Sequence, residues 1–394
     1  MGANDIVRRK QACDQGQSKA ATGAGLQVRV VTWRENQFGD ERSTAEESRR
    51  YFIRRLVGLG VSSESVVLAF TARIRLVAPV LQAVVDERFE AALDEARAVD
   101  RLVRATPPDE RPALLARKPF LGVPITAKSP VGIQGLVFDA GLKCRRGVVA
   151  ERDSDAVSAM REAGAVPLAL TNVSELAMWW ESFNKVHGRT NNPYDLRRIP
   201  GGSSGGEGSL LAAAGSVLGL GTDIGGSIRM PAFFNGVFGH KPSPGLVSNG
   251  GQFPHVQGHQ VEFLGTGPLC RYAKDLVPAL AVLAGPEHSR QVLRLHEPVD
   301  LKKVRVHVVA EAGQCFMISA VHPDVRKAVK DALLRRPPIV TGNSLVLLHP
   351  VVDDFGSYAV EVCRRRRCDG QEHDVGCGSK GLGRLALGKH LRVR

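Results

Sequence analysis

Glycine and serine crowd both ends of one stretch, Gly201 to Gly245, and a largely apolar run, Leu210 to Leu220, lies between them. Glycine-rich backbone turns its N–H groups towards a common point because it adopts dihedrals other residues resist. Two such turns carrying serine describe a site made of hydroxyls and backbone donors. A phosphate loop would need Gly-Lys-Ser/Thr, and no lysine stands between Gly201 and His240. Gly219, Gly221 and Gly225 miss the dinucleotide spacing. Gly201, Ser203 and Gly205 meet G-x-S-x-G, but the polar NNPYDLRRIP precedes them where a nucleophile elbow needs a buried strand.

The text GGSSGGEG (201–208) followed by GTDIGGSIRMP (221–231) resembles the signature of the amidase signature family of serine hydrolases. Ser203 and Ser227 stand 24 positions apart, as in that family, and KPFLGVPITAKSP supplies its upstream lysine as Lys128. The flanks TNVSELAMWWESFNKVHGRTNNPYDL and PAFFNGVFGHKPSPG are similar to the fatty-acid amide hydrolase branch. The resemblance runs from about Tyr51 to Leu334.

The chain has 394 residues, 43% of them hydrophobic, which excludes a mostly disordered chain. Its net charge of +13 is spread along the sequence, with one cluster at Arg364 to Arg367. A dispersed surface excess fits that spread better than a nucleic-acid site. Seven irregularly spaced cysteines predict reduced thiols and an intracellular chain, cytoplasmic or membrane-associated. Cys363, Cys368, His373 and Cys377 lack the tight pairs of common zinc sites, so no metal is expected. No apolar run reaches the roughly 18 to 20 residues of a membrane span, and MGANDIVRRK has no signal-peptide core.

Residues 1–45 show no steady period and are expected to form a poorly ordered leader. SSESVVLAFTARIRLV predicts a helix capped by Ser62 or Ser63, with Val66, Phe70 and Ile74 on one face. A second helix is predicted from Glu87 to Val103, ended by Pro107 and Pro108. PFLGVPITAK predicts a strand ending at Lys128, DSDAVSAMREAGA a helix capped by Asp153 or Ser154, and VPLALT a buried strand. The rhythm recurs at VLGLGTDI, and at LKKVRVHVV with a helix from Pro323 to Leu334. It argues for an α/β fold with a mostly parallel sheet covered by helices. The resemblance implies the same: the amidase signature fold over 46–336, a mixed, mostly parallel sheet sandwiched by helices. The basic tail, 337–394, matches no part of the family, so the domain is expected to be C-terminally incomplete.

Amide hydrolysis needs a nucleophile, a base and a cradle for the oxyanion. No histidine occurs before Trp180, and a buried lysine is a workable base because desolvation penalises its ammonium form. The resemblance assigns the roles: Ser227 the nucleophile, Lys128 the base, and Ser203, in a cis peptide, the relay. It places the N–H groups of Ile224, Gly225, Gly226 and Ser227 around the oxyanion, with Ser204, Asp223 and Arg229 in support. The less favoured reading of Asp223 and Arg229 is a simple surface ion pair. Met178, Trp179, Trp180 and Phe183 form an aromatic cluster, either core or lining for a lipid chain, with Met178 and Trp179 as substrate contacts. His187 and His240 are expected to be structural.

The expected function is hydrolysis of fatty-acid amides or related N-acyl amines through an acyl-enzyme, on a small-molecule lipid amide and without a cofactor. Peripheral membrane association and oligomeric state stay open. Two rivals are an inactive truncated fragment that at most binds, and the amidase subunit of a tRNA-dependent amidotransferase.

Overall fold

The computed structural model describes residues 61–295, 297–298, 320–334, 350–352 and 358–360. The leader, the strand expected at LKKVRVHVV and the cysteines of the tail lie outside the described residues. The chain divides into two units, one ending at His296 and the other beginning at Glu297.

Helix α1 (Ser63–Leu81) opens the described part, its first turn capped by Ser62, whose hydroxyl accepts from the N–H of Ser65. Then comes β1 (Val84–Glu87), four residues that periodicity does not announce. Helix α2 (Phe89–Ala105) therefore starts two residues later than expected, with the Glu87 carboxylate accepting from the N–H of Phe89. A short α3 (Arg111–Arg117) leads to β2 (Pro124–Lys128), buried along its whole length. Ser154, rather than Asp153, caps α4 (Asp155–Glu162), and β3 (Val166–Thr171) follows.

A small antiparallel pair, β4 (Phe183–Asn184) and β5 (Gly188–Arg189), precedes the glycine-rich region. The apolar run Leu210 to Leu220 proves to be two elements, the end of α5 (Gly205–Ala212) and the start of β6 (Leu218–Asp223). The unit continues with α6 (Arg229–Asn235), β7 (Phe238–Gly239), β8 (Gly265–Cys270) and α7 (Leu276–Glu287).

The six strands lie in the order β1-β3-β2-β6-β8-β7. β3, β2 and β6 run parallel at the centre, while β1, and β8 with β7, join antiparallel at the two sides. Four of the six strands thus share one direction. Alternation along the central strands sends side chains to opposite faces. On one face Ile125, Ala127, Leu218 and Leu220 pack with Val157 and Met160 of α4 and Leu280 and Leu283 of α7. On the other, Val166 and Leu168 pack with Val67 and Ile74 of α1, Ala92 and Ala96 of α2 and Leu210 of α5. The result is an α/β sandwich in which α5 lies against the centre of the sheet.

In the second unit, α8 (Pro323–Leu334) spans the predicted helix, and β9 (Pro350–Val352) pairs antiparallel with β10 (Tyr358–Val360). Among the described residues no helix is long and apolar enough to cross a membrane.

Candidate active site

Two apolar residues of β2, Ile125 and Ala127, fill one core, so Thr126 and Lys128 turn to the other face, towards α5. Lys128 is 0% exposed. Its Nζ lies 2.8 Å from Ser203 Oγ, 2.8 Å from Thr222 Oγ1 and 3.2 Å from the Thr222 carbonyl oxygen. Three partners suit either protonation state. An ammonium group donates to all three, whereas a neutral amine donates to the two Thr222 oxygens and keeps a lone pair for the Ser203 hydroxyl. Burial decides between them. It lowers the Lys128 pKa from 10.5 to about 7, against the opposing pull of Asp223 and of any charge on Glu207.

Ser203 is fully buried, and the Gly202–Ser203 peptide is cis. Ser182 holds this turn from below: its hydroxyl lies 3.0 Å from the Gly201 carbonyl and 3.1 Å from that of Ser203, and it accepts from the Gly205 N–H at 2.8 Å. The Ser204 N–H donates to the Ser227 carbonyl at 3.1 Å, which ties the two serine-bearing loops together. Ser227 itself is half-buried, and Ile224 and Gly225 beside it are exposed. Among the described residues the buried Ser204 hydroxyl has no hydrogen-bond partner.

Asp223 ends β6 and gathers the second loop around its carboxylate. One oxygen accepts from the Gly226 N–H at 2.7 Å and the other from those of Ile228 at 3.0 Å and Arg229 at 3.2 Å. The Arg229 guanidinium closes a two-pronged ion pair at 2.9 and 3.0 Å. Burial alone would push the Asp223 pKa up. The guanidinium and the backbone donors outweigh it and hold the carboxyl at about 2. Asp223 is fully buried while the Arg229 side chain is 54% exposed, so the pair reaches from the surface into the site. Gly226 has φ 119°, backbone an L side chain rarely adopts, and this bend turns the chain back under the carboxylate.

The aromatic cluster is not core. Met178 and Trp179 are 70% and 66% exposed, and Trp180 and Phe183 are exposed with them. The two tryptophan rings stack at 5.9 Å, and their backbone crowds Gly202. His187 engages the buried Asp139 carboxylate at 2.9 Å, and burial lowers the pKa of His240. Three residues that the motif alone does not single out complete the surroundings: Thr222, Ser182 and Glu207. Thr222 carried a signal, since it directly precedes Asp223 in the motif. Ser182 and Glu207 act through contacts 21 and 81 residues away in sequence, which no local pattern reports.

A family model described as Amidase matches residues 65–335. Fatty-acid amide hydrolase 2 of Homo sapiens is 51% identical over 276 residues, which cover 70% of this chain and 51% of that protein. One of the glutamyl-tRNA(Gln) amidotransferase chains of Nitratidesulfovibrio vulgaris is 36% identical over 284 residues, covering 69% of this chain and 54% of that one. Among solved structures, one titled "Fatty acid amide hydrolase" superposes with a TM-score of 0.60 at 23% identity, over 74% of this chain and 50% of its own, and so agrees in fold. The chain spans about half the length of the curated relatives it matches. On the family match and these likenesses, the chain belongs to the amidase signature family.

Proposed function

We propose that this chain hydrolyses amides, with fatty-acid amides and related N-acyl amines as its substrate class. The observation that carries the reading is the fully buried Lys128, whose amine lies 2.8 Å from the Ser203 hydroxyl with its pKa lowered to about 7. A lysine so placed serves a proton transfer better than a salt bridge. The substrate class follows the more similar of the two relatives named above, at 51% against 36% identity.

In the reaction the neutral Lys128 amine takes the proton of Ser203, and Ser203 takes that of Ser227. The Ser227 oxygen then bonds to the amide carbon, and the carbonyl π pair moves onto oxygen. The N–H groups of Ile224, Gly225, Gly226 and Ser227 receive that charge, with Gly226 contributing least because its N–H already donates to Asp223. Ser203 returns a proton to the leaving nitrogen as the C–N bond breaks. Water, deprotonated along the same path, attacks the ester and releases the carboxylic acid. Ser204, Asp223 and Arg229 keep the loop in shape, and Met178 and Trp179 offer apolar surface to the acyl chain.

The test is labelling of the full chain with a fluorophosphonate, alongside turnover of a long-chain primary amide. The reading expects a labelled peptide containing Ser227 and loss of both signals in Ser227→Ala. A cooperatively melting protein that is neither labelled nor active overturns it.

A further inference from the structure

Glu207, the third residue of α5, is fully buried against the sheet and has no role in the reaction above. Its surroundings hold hydroxyls where a buried carboxylate normally finds a cation. Glu207 Oε2 lies 2.7 Å from Thr126 Oγ1, and Oε1 accepts from Thr171 Oγ1 at 2.9 Å. Thr126 Oγ1 is also 3.0 Å from Ser216 Oγ, and Ser216 Oγ is 3.0 Å from the Leu218 carbonyl. Gly219 makes the room: a Cβ there would overlap Glu207 Oε2.

The protons can be counted along this chain. Thr171 Oγ1 also lies 3.5 Å from the Ala127 carbonyl, too far to compete with its 2.9 Å contact to Glu207. Four contacts of 3.0 Å or less remain, and Thr126, Ser216 and Thr171 bring only one hydroxyl hydrogen each. The Leu218 carbonyl can only accept, so Ser216 donates to it. Ser216 then accepts from Thr126, which leaves Thr126 with a lone pair, and no hydrogen, facing Glu207 Oε2. The fourth hydrogen has to come from the carboxyl group itself. If Glu207 were ionised, one of the four contacts would have no hydrogen.

The geometry points to Glu207 as an un-ionised carboxylic acid and a positioning residue, donating to Thr126 on β2 and keeping negative charge out of the space around Lys128. Burial is the leading cause of its pKa rising to about 8, outweighing the Thr171 hydroxyl and the charge of Lys128, which pull the other way. The consequence falls on Lys128, two residues beyond Thr126 on the same strand. An ionised Glu207 would favour the ammonium form, whereas a neutral one leaves Asp223, on β6, as the anion that Lys128 senses. This inference rests on Lys128 as the base, and its own test reads the carboxyl group directly.

Infrared difference spectra of the full chain, parent minus Glu207→Gln, are expected to contain the carbonyl band of an un-ionised acid at pH 7 and to lose it as the pH rises past about 8. Asp275, the other carboxyl pushed up among the described residues, to about 6, is already mostly ionised at pH 7. Thr126→Val, which removes the acceptor, is expected to shift the band. An absent band, or one that Thr126→Val does not move, overturns the proposal. In kinetics, Glu207→Gln exchanges one neutral group for another, so the midpoint of the acid limb of kcat/KM stays in place whatever happens to kcat. A fall of that midpoint by about one unit or more would mean a charge had been removed, and the proposal is wrong. If the parent shows the band but neither labels nor turns over, the proposed function fails while Glu207 remains a neutral acid.

Discussion

The amine of Lys128 and the hydroxyl of Ser203 meet at 2.8 Å although 75 residues separate them, and both side chains are fully buried. The contact joins the C-terminal end of β2 to the turn that starts α5. Thr222, at the end of the adjacent parallel strand β6, accepts the amine's remaining hydrogens. No carboxylate is among these hydrogen-bond partners of the amine, a setting that fits the proposed base better than a salt bridge.

The first prediction is a pH profile. Only the neutral amine can take a proton, so kcat/KM and the labelling rate of Ser227 rise with pH through a midpoint near 7. The same shift bears on stability. The unfolded chain keeps the lysine proton up to about 10.5 and the folded one releases it near 7, so the unfolded state binds more protons in between. Stability therefore gains from this group as pH rises from 7 towards 10.5. Lys128→Met is expected to abolish that gain in urea titrations and to lower the labelling rate by about 10⁴-fold.

Ser203→Ala tests the relay. It leaves Ser227 and Lys128 in place but removes the hydroxyl between them, so labelling should slow by about a hundredfold to ten-thousandfold. A labelling rate equal to the parent's would show that Lys128 reaches Ser227 without Ser203.

Much of this was legible in the residues themselves. Strand β2 ends at Lys128 as its apolar alternation predicts, and the helix at Pro323–Leu334 has the predicted bounds. Strand β1 escaped because four residues, VVDE, carry too little pattern between two helices, and its place is set by pairing with β3. β8, GTGPLC, has neither alternation nor β-branched density, and it takes its form from the full ladder it makes with β6. The hydroxyl chain around Glu207 was hidden for the same reason: Thr126, Thr171 and Glu207 come from three elements and become neighbours only when the sheet and α5 pack.

Asp223→Asn should separate loop shape from proton transfer. The carboxylate is buried, takes three backbone donors and pairs with Arg229, so its loss leaves the guanidinium and at least one N–H poorly partnered. A cost of about 3 kcal/mol in urea unfolding is expected. The parent's carboxyl is held at about 2 against an ordinary 3.8, so its contribution is complete above 3.8 and is lost as pH falls towards 2. That acid-side loss should be missing from the variant.

Gly219→Ala probes the space above Glu207. The added methyl would overlap the carboxyl oxygen, and fully buried β6 leaves the carboxyl little freedom to retreat. Overpacking of this kind costs about 2 kcal/mol, read as a lower urea midpoint with an unchanged slope. An alanine variant as stable as the parent would mean that α5 shifts freely against the sheet.

The proposed acyl contacts, Met178 and Trp179, supply a further test. Both lie open to solvent, and the Trp179 backbone abuts Gly202, next to the buried Ser203. If an acyl chain covers about 60 Å² of the indole, then ~25 cal/mol per Å² gives about 1.5 kcal/mol, or about tenfold in binding. Trp179→Ala should accordingly raise KM about tenfold for a long-chain primary amide while leaving a two-carbon amide unaffected, since the short acyl group cannot reach the indole. Met178→Ala should act in the same direction and more weakly. Equal effects on both substrates would instead mean that the tryptophan backbone supports the Gly202 turn, and the acyl contact would have to be sought elsewhere on the chain.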